Sequence, residues 1–182
     1  CAGLLVLVTA LSRAQIGLRY FLPVFPFLCM AAGFAVGEMK RRSPRLALAL
    51  AGPLLLWHAG AALAIHPHHL TYFNEAVGGP ANGYRHLVDS NLDWGQDLAG
   101  LKRFMGEHAI PRIHLFYFGT ADPSYYGIER ASPGEPGYFA VRATHLMGVY
   151  LPDPGYLAPF REMAPVETIG HSIFVYRLDT FP

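Results

Sequence analysis

The chain has 182 residues, of which 52% are hydrophobic and only 15% are charged, and its formal net charge is +1. The charges are unevenly distributed, because the part from His66 onward carries eight Lys and Arg against twelve Asp and Glu, a net charge of −4. An acidic region is poorly suited to binding nucleic-acid phosphates, so we expect no nucleic-acid partner.

The first third of the chain reads as membrane helix. Residues 20–37 and 46–65 contain no charged residue, and each run approaches the roughly 20 apolar residues that cross a hydrocarbon core. Residues 1–11 are equally apolar but too short, and no initiator Met or basic segment precedes them as in a signal peptide. We therefore expect the end of one span plus two complete transmembrane helices in residues 1–65, and a chain that is a fragment.

A basic cluster between the two complete spans predicts their orientation. Lys40, Arg41, Arg42 and Arg45 form a short loop that the positive-inside rule places in the cytoplasm. The ends of the spans near Arg19 and His66 then face outside. The two cysteines both lie in apolar segments, so they form no disulfide in the outer region and say nothing about its compartment.

Residues 66–83 predict an interfacial connector, because they are dense in turn-forming residues. His66, His68 and His69 have no cysteine or second histidine pair to complete a zinc site, so we favour a histidine cluster at the lipid headgroups over a metal site. His58 lies within the second complete span. We interpret it as a neutral histidine bonded to a neighbouring helix rather than as a proton or lipid contact.

Residues 84–182 predict a small extracytoplasmic α/β or α+β domain. Residues 84–88 read as a short strand, residues 94–108 as a helix opened by a capping box, and residues 113–118 as a buried strand. This succession predicts a βαβ unit. Further strands are expected at residues 138–141 and 173–178, with a short helix within residues 155–162.

Three acids spaced four apart precede the predicted helix. Residues 89–93 match the start of a calcium loop, but Trp94 stands where that loop needs glycine and Gly100 where it needs a bidentate glutamate. We therefore predict no metal site here.

The same segment lies at a predicted strand end, where open α/β sheets tend to place ligands. Its aromatic, carboxylate and amide groups suit a sugar, with an aromatic face for the ring and polar groups for the hydroxyls. The candidate sugar or acceptor contacts are Asp89, Asn91, Asp93, Trp94 and Gln96. Equally, Trp94 could pack the domain against the membrane part.

Two arginines, Arg13 and Arg19, lie on the predicted outer side, where the positive-inside rule disfavours them. An arginine there is suited to grip a phosphate bidentately, although it could also be an ordinary snorkelling side chain. The outer domain has no glycine-rich phosphate loop, nucleophile elbow or HExxH helix, and thus no self-contained catalytic motif.

Several segments together resemble a known family. Arg19 followed by an LPxxP pattern at residues 22–26 is similar to a late transmembrane helix of polytopic GT-C glycosyltransferases, in particular the family 39 type related to protein O-mannosyltransferases. Residues 89–98 look like a signature of bacterial members with a C-terminal extracytoplasmic domain. The remaining similar segments are residues 72–84, 117–119, 122–127 and 169–173.

This resemblance implies an enzyme of the bacterial cytoplasmic membrane that moves a sugar from a polyprenyl-phosphate donor to a lipid, glycan or protein acceptor. By this resemblance Arg19 would contact the donor phosphate. We also expect residues 89–97 to shape the acceptor side, a role that the family pattern does not establish. The catalytic acid of such enzymes lies in the first extracytoplasmic loop, expected upstream of Cys1, so we name no catalytic residue and expect the fragment to be inactive alone. No cofactor is evident, and a divalent cation is compatible with the full-length enzyme.

Two other classes of function remain open at this point. The chain could be a non-catalytic, membrane-anchored protein that binds a glycan or a partner. A transporter is disfavoured because neither predicted complete span contains an acidic residue suited to a proton relay.

Overall fold

The computed structural model describes residues 22–179, and the chain divides into two compact units, Cys1–His66 and Pro67–Pro182. The first unit contains helices α1 (Phe25–Arg42) and α2 (Pro44–Ile65). The apolar segments Leu22–Arg42 and Pro44–Ile65 are long and apolar enough to cross a membrane. Residues 1–11, Arg13 and Arg19 lie outside the described residues.

Ser43 separates the two helices of the first unit. Its backbone is extended, with φ −154°, and its hydroxyl accepts a hydrogen bond from the Leu46 N–H at 3.3 Å. Pro44 occupies the first helical position of α2, where a missing N–H costs nothing. The residues of the expected basic loop thus lie in the last turn of α1 and the first turn of α2. Cations in the last turn of a helix interact favourably with the helix dipole.

Large apolar side chains cover the surface of both helices. Phe34 is 76% exposed, Leu56 76% and Leu63 78%. Apolar surface of this extent is unfavourable in water and is stable in lipid or against other protein.

The second unit is a small α/β domain built on a five-stranded mixed sheet. The strand order is β2-β1-β3-β5-β4, with β1 parallel to β2 and β3, and with β5 antiparallel to both β3 and β4. The strands are β1 (Arg112–Phe116), β2 (Glu129–Arg130), β3 (Gly137–Arg142), β4 (Glu167–Ile169) and β5 (Ile173–Leu178). The helices are α3 (Leu98–Glu107), α4 (Ala143–Leu146) and α5 (Ala158–Arg161).

Alternation along β3 and β5 creates a core on each face of the sheet, because successive side chains point to opposite sides. Ala140, Ile173 and Val175 pack with the apolar face of α3. Phe139, Val141, Phe174 and Tyr176 pack with buried residues of α4 and α5. The sheet is therefore covered on both sides.

The predicted strand at residues 84–88 is wrong. The chain forms a 3₁₀ helix over Pro80–Arg85, preceded by Gly79 at φ +71°. The Gly83 carbonyl accepts hydrogen bonds from the N–H groups of His86 and Leu87, which closes the backbone into a turn. The predicted βαβ unit is therefore absent, and the parallel neighbours β1 and β3 are instead joined through residues 117–136.

The predicted helix at residues 94–108 begins later than expected, at Leu98. The Gln96 side chain accepts the Trp94 N–H at 2.8 Å, and the Asp93 carboxylate accepts the Gly95 N–H at 3.1 Å. These bonds form a turn before the helix instead of a capping box. The strands expected at residues 138–141 and 173–178 and the short helix within residues 155–162 are confirmed.

Replacing a fully buried side chain of α3 should destabilise the second unit strongly. Leu101 is 0% exposed, and Leu101→Ala should lower the free energy of unfolding by about 2–5 kcal/mol. Val166 is 56% exposed, and Val166→Ala should change the free energy of unfolding by less than about 0.5 kcal/mol. Urea unfolding of the detergent-solubilised chain measures both changes in free energy. The unfolding is followed by Trp94 fluorescence in a Trp57→Phe background. Equal effects of the two variants would contradict the packing of α3.

Candidate functional site

The segment of residues 89–97, termed here the acidic turn, leads from the connector into α3. It begins with a 3₁₀ turn over Asp89–Asn91. Leu92 and Asp93 are both 0% exposed, whereas Trp94 is 56% exposed. The segment is therefore anchored at its centre, and Trp94 and Gln96 are its exposed side chains.

Asp93 forms a buried ion pair with Arg142, the last residue of β3. Arg142 Nε donates to Asp93 Oδ2 at 2.8 Å, and Nη2 donates to Oδ1. Both side chains are 0% exposed, and the Tyr117 ring lies 5.2 Å from the guanidinium carbon. Burial raises the pKa of Asp93, while the Arg142 guanidinium and the Gly95 N–H oppose that rise. Asp93 was expected to contact a sugar, and the structure places its carboxylate in the interior, paired with Arg142.

The network continues from Arg142 to the connector through two further side chains. Arg142 Nη2 donates to Ser172 Oγ at 3.2 Å, and the Ser172 hydroxyl donates to Asp97 Oδ2. His68 Nδ1 lies 3.4 Å from the other oxygen of Asp97. Ser172 and His68 thus both contact Asp97 rather than each other. Because Ser172 is also 0% exposed, this arrangement is no nucleophilic triad.

The turn before β5 is shaped around Asp97. Gly170 has φ +59°, and a Cβ at this position would overlap the Asp97 carboxylate, so glycine is required. His171 also has φ +59°, an uncommon backbone conformation for a residue with a side chain. Its ring centroid is 6.4 Å from that of His68. Burial, with a further contribution from His68, lowers the pKa of His171, and Asp97 opposes this shift.

The exposed face of the acidic turn is held by a second set of hydrogen bonds. The Asp89 N–H donates to Thr144 Oγ1 at 3.0 Å, and the Tyr150 hydroxyl donates to Asp89 Oδ2 at 3.2 Å. Trp94 Nε1 donates to the Ser90 carbonyl at 2.9 Å. This face combines carboxylate, hydroxyl and aromatic groups in fixed positions.

The five predicted contact residues therefore separate into different environments. Trp94 and Gln96 are exposed, whereas Asp89 and Asn91 are half-buried, with the Asn91 amide 3.4 Å from the Val88 carbonyl. Of the five, Asp93 is fully enclosed. Sugar contact at these residues stays a prediction.

Sequence reasoning missed the residues that other parts of the fold bring to the acidic turn. They are Tyr117, Arg142, Thr144, Tyr150 and Ser172. Arg142 had a usable signal, because a charge that ends an apolar strand needs a buried partner of opposite charge. The hydroxyl residues carry no comparable signal.

A groove of about 610 Å³ lies elsewhere on the second unit, between residues 67–71, α3 and β4. Gln96 and Asp97 are the residues of the acidic turn that line it. Among residues 22–179, no group of three His, Cys, Asp or Glu side chains is placed to hold a metal ion.

Comparisons with known proteins leave the family open. No protein-family model matches the chain, no curated protein matches it, and no solved structure matches it. The resemblance to GT-C glycosyltransferases therefore stays a prediction from the sequence.

Removing one partner of the buried ion pair should destabilise the second unit more than replacing both partners with apolar residues. Asp93→Leu and Arg142→Met should each lower the free energy of unfolding by about 3–5 kcal/mol, because each leaves a buried group without its charged partner. The double variant Asp93→Leu with Arg142→Met should cost less than the sum of the two. A double-mutant cycle from urea unfolding measures this coupling. Strict additivity would show that the pair contributes no coupling.

Stability should also fall as the solution is acidified through the range of histidine titration. Burial lowers the pKa of both His145 and His171 below their ordinary value of 6.5. Below about pH 6.5 the unfolded chain therefore binds protons that the folded chain resists, and the free energy of unfolding declines with falling pH. Unfolding curves at pH 8, 6.5 and 5 measure the decline.

The variants His145→Gln and His171→Asn should each reduce this pH dependence, and asparagine suits the positive φ at position 171. Replacing His69, which is exposed, with Gln serves as the control. An unchanged slope in both test variants would contradict the assignment.

Proposed function

We propose that this chain is the C-terminal part of a membrane glycosyltransferase. The enzyme transfers a sugar from a polyprenyl-phosphate donor to a lipid, glycan or protein acceptor. It resides in the bacterial cytoplasmic membrane, with the second unit on the extracytoplasmic side. The proposal rests on the family resemblance in the sequence and on the surface of the acidic turn.

The observation that carries the proposal is the rigid, exposed face of the acidic turn. Hydrogen bonds hold the half-buried Asp89 and the exposed Trp94, while Leu92 and Asp93 anchor the same segment in the interior. Fixed polar and aromatic groups bind a ligand with little loss of conformational freedom. This face supports a role in holding an acceptor. The two apolar helices are compatible with a lipid-linked donor.

The donor side of the proposal depends on Arg19. Its guanidinium would hold the phosphate of the donor, where negative charge develops as the bond to the sugar breaks. A guanidinium can make two parallel hydrogen bonds to phosphate oxygens, which fixes the orientation of the leaving group.

The alternative is a membrane-anchored protein that binds a glycan or a partner without catalysis. It is favoured by one observation, that the side chains linking Asp93 to Asp97 through Arg142 and Ser172 are buried. Ser172, the hydroxyl residue of that network, is 0% exposed and therefore inaccessible to substrate. The acidic turn would then serve binding alone.

The two candidates are separated by a transfer assay on the polypeptide encoded by the full gene. Arg19→Ala should lower sugar transfer at least tenfold, because the departing phosphate loses its cation. The assay uses membranes supplied with undecaprenyl-phosphate-linked radioactive mannose, glucose or aminoarabinose. Arg45→Ala, in the first turn of α2, is the matched control and should retain transfer.

Comparable membrane levels of both variants are verified by carbonate extraction. Unchanged transfer by Arg19→Ala would remove the phosphate assignment. Absence of transfer by the unmodified protein with every donor would favour the binding protein.

A further inference from the structure

We propose that Tyr150 and Trp94, tethered to the adjacent residues Asp89 and Ser90 and with Phe118 stacked on Tyr150, form a binding site for an uncharged saccharide. The site deepens the proposed function, and its role as an acceptor site rests on that function. Saccharide binding itself is independent of transfer and can be measured without it.

Two aromatic rings are tethered to consecutive residues of the acidic turn. The Tyr150 hydroxyl donates to the Asp89 carboxylate, and the Trp94 indole N–H donates to the Ser90 carbonyl. Tyr150 is 66% exposed and Trp94 is 56% exposed. Their polar ends are therefore bound to the protein, while much of their apolar ring surface remains accessible. Rigid aromatic side chains provide a large contact area at a low entropy cost.

Phe118 supports the Tyr150 ring from one side. The two rings are nearly parallel, with an interplanar angle of 11° and centroids 5.4 Å apart. His145 meets the edge of the same phenylalanine at 6.2 Å. This stack sets the orientation of Tyr150, whose accessible surface can receive the C–H face of a sugar ring.

The two residues joined by the hydrogen bond between Tyr150 and Asp89 both have an unfavourable backbone conformation. Asp89 has φ +58° and Tyr150 has φ +62°, in the left-handed region that residues with side chains rarely occupy. Such conformations persist when surrounding structure imposes them, and they concentrate at functional sites. Here the imposing structure includes Thr144, which binds the Asp89 N–H, and the buried neighbours Leu92 and Asp93.

The charge of the surroundings selects the class of saccharide. The part of the chain from His66 onward has a net charge of −4, and Asp89 places a carboxylate within the site. A carboxylate accepts hydrogen bonds from sugar hydroxyls but repels uronic and sialic acids. The ligand is therefore a neutral sugar, and N-acetylated sugars are included.

Binding is tested with the whole chain in lauryldimethylamine oxide, a detergent without a sugar headgroup. The probes are maltotetraose, N-acetylchitotetraose and the acidic trigalacturonate. Ligand-observed saturation-transfer NMR detects binding, and Trp94 fluorescence in a Trp57→Phe background gives the affinity. We expect at least one neutral probe to bind and trigalacturonate to bind at least tenfold more weakly.

Substitutions at the two rings should then weaken binding selectively. Tyr150→Ala and Trp94→Ala should each raise the Kd of the bound probe at least tenfold. The affinity of Trp94→Ala is measured by NMR, because this variant lacks the Trp94 fluorescence. Tyr150→Phe removes the tether but keeps the ring, so its effect should be smaller. Tyr125→Ala is the matched control, because Tyr125 is 87% exposed and lies in the separate 3₁₀ segment Pro123–Tyr126.

The outcomes distinguish this inference from the proposed function. Loss of binding in Tyr150→Ala and Trp94→Ala, with an unchanged circular dichroism spectrum, supports the saccharide site. Wild-type affinity in both variants, or no binding of either neutral probe, overturns it. If the site is correct and the transferase proposal is not, the unmodified protein binds saccharide yet shows no transfer. If only the transferase proposal is correct, transfer depends on Arg19 while Tyr150→Ala binds and transfers normally.

Discussion

The buried ion pair between Asp93 and Arg142 is the constraint on which the second unit depends. Moving two opposite charges out of water is costly, and the cost is offset only when both are closely paired and further hydrogen-bonded. Arg142 is bonded through Nε and Nη2 to Asp93 and Ser172, while its buried Nη1 has no hydrogen-bond partner among the described residues. Ser172 passes the network on to Asp97. The end of β3, the start of β5 and the entry to α3 are thereby fixed to one another.

This constraint makes the exposed face of the acidic turn rigid. The ion pair holds Asp93 in the interior, so its neighbours Asp89 and Trp94 have little freedom to move. Hydrogen bonds to Thr144 and Tyr150 complete the restraint from the opposite side. The same segment thus stabilises the fold through its buried residues and offers a binding surface through its exposed ones.

The two units present surfaces of different chemical character. The helices of the first unit expose large apolar side chains along their length, whereas the second unit packs apolar cores on both faces of a sheet and exposes isolated aromatic rings such as Trp94 and Tyr150. The saccharide site is argued from those rings. The transferase proposal rests on the sequence resemblance together with the acidic turn.

The sequence by itself determined the elements whose hydrophobic pattern fits only one type of secondary structure. The long apolar runs indicated α1 and α2, and short apolar runs indicated β3 and β5. Residues 84–88 were misassigned, since Tyr84 and Val88 pack partly against the core from non-strand backbone. Only the tertiary structure decided the role of Asp93. Its partner Arg142 is 49 residues away, and local spacing carries no information about a contact at that distance.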